Sequence, residues 1–201
     1  MRHGFEDLVT MLLLAGAHAD DRLARVDPRR CLFRVANDTR FHKQKDPYKT
    51  WISAWMSPGG KSGAYAGYYA HIAPGASHVS AGIWEPDKPA LHGLRTAFAD
   101  DGSDARAFDR ILAGRALKPY LPLETHALRV TPRGFPKVHP RLGLIRARNY
   151  MLERPITDRE LLDRGAFAVF RDAMRATAPF VRWLDAHAAA ASESPFDEEW
   201  G

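Results

Sequence analysis

The sequence predicts an α+β fold, an antiparallel β-meander flanked by N- and C-terminal helices. Three observations predict it. Phe5, Leu8, Val9, Leu12 and Leu13 recur at helical spacing near the start. Between residues 50 and 84 three short runs rich in Trp, Tyr, Ile and Val alternate with Pro-Gly punctuation. After Thr157 the apolar spacing returns to helix.

Taken in order, Phe5 to Ala17 is a helix. Cys31 to Val35 is a short candidate strand. Thr50 to Met56 is a second strand, stopped by Ser57-Pro58-Gly59-Gly60, and Tyr65 to Ala73 a third, stopped by Pro74-Gly75. His78 to Trp84 is a fourth, ended by Pro86. Asp87 caps a helix carrying Leu91, Leu94 and Phe98, and Asp104 caps another carrying Phe108, Ile111 and Leu112. Leu128 to Val130 reads as one more strand before the turn Thr131-Pro132-Arg133-Gly134. Thr157 and Glu160 form a capping box, and that helix is expected to run on through Phe167, Phe170 and Met174. Pro179 is expected to open a final helix. Residues 1–191 are read as one domain and 192–201 as an acidic flexible tail.

Period-two alternation assigns the faces of the meander. Ile52, Ala54, Met56, Tyr68, Ala70, Ile72, Val79, Ala81 and Ile83 share one face, which is apolar and should pack on helices. The other carries Trp51, Ser53, Trp55, Tyr69, His71, His78, Ser80 and Trp84. Bulk water disfavours three tryptophans, and a sealed core disfavours two histidines. The mixture predicts a partly covered cleft or, as its alternative, a second layer of helices.

Composition excludes several classes. Hydrophobic residues make up 45% and charged residues 26%, enough for a packed core. The apolar run Met11 to Ala17 is too short to span a bilayer, so no membrane partner is expected. Cys31 is the single cysteine, which precludes an internal disulfide and predicts a cytoplasmic protein. No cofactor fingerprint is present, and the histidines lack metal-site spacing, so no cofactor and no metal are expected. No pattern specifies an oligomer. The net charge of +5 is concentrated in two segments, Arg22 to Lys49 and His126 to Arg159, each with six more cations than acids. Brought together by folding, they would make a site for an anion.

The chemistry concentrates at Arg34 to Trp51. Arg40, Lys43, Lys45 and Lys49 interleave with Phe41, Tyr48 and Trp51, and Asp38 can orient Arg40. Asp46-Pro47 makes this a loop entering a strand, suited to aiming several cations at one point.

Asp38-Thr-Arg-Phe-His-Lys-Gln-Lys-Asp-Pro-Tyr-Lys-Thr50 resembles the signature of the domain-of-unknown-function family 2461. Tyr68-Tyr-Ala-His-Ile-Ala-Pro-Gly75, Gly82-Ile-Trp-Glu-Pro86 with Leu91-x-x-Leu-Arg95, and Thr131 to Pro140 resemble its later blocks, in the same order. The likeness runs from about residue 30 to 185. Asn37 stands where the family pattern has Arg and Gln44 where it has Asp, and the Trp-Phe helix usual before the first block is missing. The resemblance implies positions rather than a reaction: Asp38, Arg40, Lys45, Tyr48, Lys49, Tyr69, His71, Trp84, Arg95, Arg133 and Gly134.

Three functions fit these residues. The first is binding of a small phosphate- or carboxylate-bearing ligand by Asp38, Arg40, Lys45, Lys49, Trp84, Arg95, Arg133 and Gly134. Single-stranded nucleic acid would be one such anion, but the chain carries no recognised nucleic-acid motif. The second is an enzyme using the same cleft, with His71, Tyr48 and Tyr69 as acid–base groups. No nucleophile is identified, so the reaction class stays open. The third is a structural or regulatory domain docking an acidic protein.

Overall fold

The computed structural model describes residues 2–36, 48–62, 65–123 and 127–192. Helix α1 (Arg2–Gly16) buries Phe5, Val9, Leu12 and Leu13, the stripe its spacing predicts. A single-turn helix α2 (Pro28–Cys31) follows, its first turn held by the Asp27 carboxylate accepting from Arg29 N–H. Strands β1 (Ile52–Met56), β2 (Gly67–Ile72) and β3 (Ser77–Ile83) form the antiparallel meander. Helices α3 (Lys88–Ala99) and α4 (Ser103–Leu112) lead to a two-residue strand β4 (Leu121–Pro122). Helix α5 (Leu142–Arg146), strand β5 (Tyr150–Ile156), and helices α6 (Asp158–Arg164) and α7 (Ala166–Ser192) complete the order.

The fold class is α+β as predicted, with one five-stranded antiparallel sheet ordered β1-β2-β3-β5-β4. β5 pairs with β3 along its whole length, from Ile83↔Tyr150 to Ser77↔Ile156. The apolar face holds Met56, Tyr68, Ala70, Val79, Ala81 and Ile83 from the meander with Leu152 and Ile156 from β5. On it lies α7, with α1 and α3 packed beside α7. Phe98, Phe108 and Trp183 interlock where α3, α4 and α7 meet, their ring centroids 4.5 to 5.1 Å apart. No helix among the described residues is long and apolar enough to cross a membrane.

Several expected elements differ. Cys31 closes α2 rather than opening a strand, and Leu32 and Ala36 make only single bridges, to Ala54 and Tyr48. Leu128 to Val130 is no strand, because Leu128 N–H bonds the Arg146 carbonyl (2.8 Å) instead of a ladder. Gly102, not Asp104, stands at the α4 cap. The Thr157 box forms, with Glu160 N–H donating to Thr157 Oγ1 at 3.1 Å. That helix stops at Arg164, however, because Gly165 turns the chain at φ 77° before α7 begins. Pro179 lies inside α7 instead of starting it. The acidic end from residue 193 onward lies outside the described residues.

Candidate functional site

The face of the sheet opposite the helices carries the chemistry. Strand register lays its side chains in two rows. One runs Trp55, Tyr69, Ser80, Glu153, and the other Ser53, His71, His78, Pro155. The second row is a ring stack. His71 and His78 lie nearly parallel, centroids 4.5 Å apart, and Trp51 leans on His71 at 4.8 Å. Lys49 extends the stack, its Nζ 4.1 Å above the Trp51 ring.

Polar contacts join the rows. Tyr69 Oη and His71 Nδ1 are 3.2 Å apart. Ser80 Oγ donates to Glu153 Oε2 at 3.0 Å, and His78 Nε2 lies 3.7 Å from the same oxygen. His78 Nδ1 is 3.4 Å from the Ala76 carbonyl, so both its nitrogens face acceptors. Burial, with the charge on His78 adding to it, lowers the pKa of His71, while Glu153 works the other way. Burial also raises the phenol of Tyr69, and the Glu153 charge reinforces that. The pair is thus a neutral imidazole beside a protonated phenol, an arrangement that can pass a proton.

Above the Trp55–Tyr69 row is a cleft of about 470 Å³. Phe33, Trp55, Tyr69, Trp84, Leu123 and Met151 form its apolar walls, and Lys61, His78, Ser80 and Glu153 its polar points. A second hollow of about 500 Å³ lies beyond His78 and Glu153, which line both. Its other walls come from the Gly75–Ala76–Ser77 turn and from Pro155 to Asp158.

The residues singled out from sequence fall into separate groups. Tyr69, His71 and Trp84 lie on the cleft face, and Lys49 reaches its edge through Trp51. Tyr48 is 68% exposed and its backbone bridges Ala36, so it stands outside the cleft. Asp38, Arg40 and Lys45 lie outside the described residues. Arg95, Arg133 and Gly134 sit on the helical side. The α3 stripe of Ala90, Leu94 and Phe98 enters the core and carries Arg95 to α5, where it donates to the Ala147 carbonyl at 3.1 Å. The Arg133–Gly134 turn follows the same layer, with Phe135 edge-on to His92 of α3 at 5.5 Å.

Sequence reasoning missed Glu153 and Met151, because β5 was not foreseen, and also Phe33, Lys61 and Leu123. Phe33 alone had a usable signal, as the outward position of the short run after Cys31.

A family model described as a conserved hypothetical protein, DUF2461, matches residues 1–183. No curated protein and no solved structure matches the chain.

Proposed function

The chain belongs to the conserved hypothetical protein family DUF2461, whose description names no reaction, and from the open sheet face we propose that the protein binds a small organic anion in its aromatic cleft. The observation that carries this reading is the wall of Phe33, Trp55, Tyr69 and Trp84 around about 470 Å³, with Lys61 among the lining residues. Such a volume suits one drug-sized molecule, whose flat apolar body would lie against the rings. Lys61 is the cation of the described lining and would take the carboxylate or phosphate. Glu153 keeps its negative charge while accepting from Ser80, so the anionic group of the ligand would sit toward Lys61 and away from the Ser80–Glu153 pair.

The test is a thermal-shift and tryptophan-fluorescence titration of the whole chain with benzoate, phenyl phosphate and larger aromatic anions. A ligand at one hundred times its dissociation constant should stabilise by about 2.7 kcal/mol. Lys61→Ala should weaken the best ligand about tenfold, and Trp84→Ala should weaken it comparably. A panel without any shift, or a shift untouched by both variants, rejects the reading.

A second reading, an enzyme working in the same cleft, is favoured by the 3.2 Å contact of Tyr69 with His71. It makes His71→Ala lose turnover while the ligand still binds, and a variant equally impaired in both is evidence against it.

A further inference from the structure

Four positively charged positions on the helical side have no role in the cleft. Elsewhere the fold neutralises its partly buried arginines. Arg22 meets Asp20 and Asp185, Arg141 meets Asp101 and Asp109, and Arg154 meets Glu160. Arg95, Arg133, Arg146 and Arg148 make no such ion pair among the described residues.

Contacts bring Arg95, Arg146 and Arg148 together, and the turn that carries Arg133 docks beside them. Arg95 donates to the Ala147 carbonyl, between Arg146 and Arg148 in the chain. Its Nε is closed off without a hydrogen-bond partner. Burial and the charge of Arg148 both work against its protonated form, with Tyr150 partly compensating. Arg146 Nε donates to Thr131 Oγ1 at 3.1 Å, which ties the start of the 131–135 turn to the end of α5. The other end of that turn rests on His92, one helical turn before Arg95. The turn is closed by Phe135 N–H on the Pro132 carbonyl (3.3 Å), with Gly134 at φ 83° and open space around it. Glu85 is pinned nearby through its N–H to Asn149 Oδ1, yet its carboxylate makes no ion pair among the described residues.

We infer that this cluster is a second binding site, separate from the cleft, for a tetrahedral oxyanion of the phosphate type. A half-buried guanidinium beside like charges and without a counter-charge is unfavourable. The Ala147 carbonyl and the Tyr150 hydroxyl occupy part of the Arg95 N–H edge and Nε is enclosed, so an anion would meet it through the Nη hydrogens that remain. Planar forks approaching from α3 and from the end of α5 match several oxygens of one phosphate better than the two of a carboxylate. The cluster is built from α3, the end of α5 and the 131–135 turn, whereas the cleft is lined from the open sheet face, so the two share no lining residue.

The experiment is isothermal titration of the full chain with inorganic phosphate at low ionic strength, with sulfate and acetate as comparisons. One equivalent of phosphate or sulfate should bind, and acetate far more weakly. Arg148→Ala changes an exposed side chain and should lower phosphate affinity about tenfold or more. Arg95→Lys, which keeps the charge and loses the fork, should weaken it as well. Phenyl phosphate, titrated in the Trp84→Ala background where the cleft is weakened, tells a free anion from a phosphorylated ligand, and it must lose affinity when Arg148→Ala or Arg95→Lys is added. Trp84→Ala should leave inorganic phosphate binding unchanged. Absence of phosphate binding, equal affinity in Arg148→Ala, or loss in Trp84→Ala would each overturn the inference. The last would put the phosphate in the cleft instead.

Discussion

His71 is held between opposing demands. It stacks on His78 and touches Tyr69 Oη, and both contacts suit a neutral ring. With its folded-state pKa lowered, the native protein binds fewer protons than the unfolded chain once the pH drops below about 6.5. Stability is therefore whole above that pH and is lost as pH falls toward the lowered value. The thermal midpoint should drop more steeply between pH 8 and pH 5 in the native sequence than in His71→Phe, which keeps a ring in the stack. Equal slopes would remove His71 as the source. Cys31 follows simpler logic. Burial, with Asp27 adding to it, pushes its thiol up to about 11, which suits a small buried residue rather than a nucleophile.

Among the elements, legibility followed the range of the signal. The meander was readable because each strand carries its own alternation and each turn its own Pro-Gly or Gly-Gly, and both faces came out with the assigned residues. β5 carries Glu153, Arg154 and Pro155 in succession, which breaks any two-residue period, and its partner β3 lies far back in the chain. Its pairing is decided by tertiary contact, so the half of the cleft floor built from Met151 and Glu153 had no local signature. The helical errors share one cause. Apolar spacing runs on across Gly165 and Pro179, but backbone chemistry places the break at the first and tolerates the second. The β3–β5 seam also contains a test. Gly82 has φ 139°, and a Cβ there would run into the Tyr150 carbonyl oxygen. Gly82→Ala should cost about 2 to 4 kcal/mol by urea unfolding, from overpacking plus backbone strain. A loss below about 0.5 kcal/mol, typical of a surface change, would mean that the strands approach less closely.

For the whole molecule, one buried polar group ties the N-terminal segment to the rest. Asp20, 1% exposed, accepts from Arg22 and from Tyr68 Oη at 2.9 Å, and Arg22 also pairs with Asp185 of α7. Burial alone would raise the Asp20 carboxyl, but Arg22 and Tyr68 more than offset it and leave it below the usual range. Asp20→Ala, which strands the Tyr68 hydroxyl and half the Arg22 charge, should cost about 3 to 5 kcal/mol. Tyr68→Phe removes one hydrogen bond and should cost about 1 kcal/mol. Chemical denaturation of both variants checks this, and equally small losses would mean that water solvates the group. The sequence showed the cations and aromatics of the candidate sites but could not divide them between the two sides of the sheet. That division depends on where α3 and the 131–135 turn dock. The strand order has a further consequence, for the time course of folding. β1 to β3 can zip through neighbouring hairpins, whereas β5 must return across the whole interval between Ile83 and Tyr150. The ring stack is then assembled early, and the cleft gains Met151 and Glu153 only when the last long-range closure is made. If β5 docks after the rate-limiting step, substitutions in it should change the rate of unfolding more than the rate of folding in denaturant-jump kinetics.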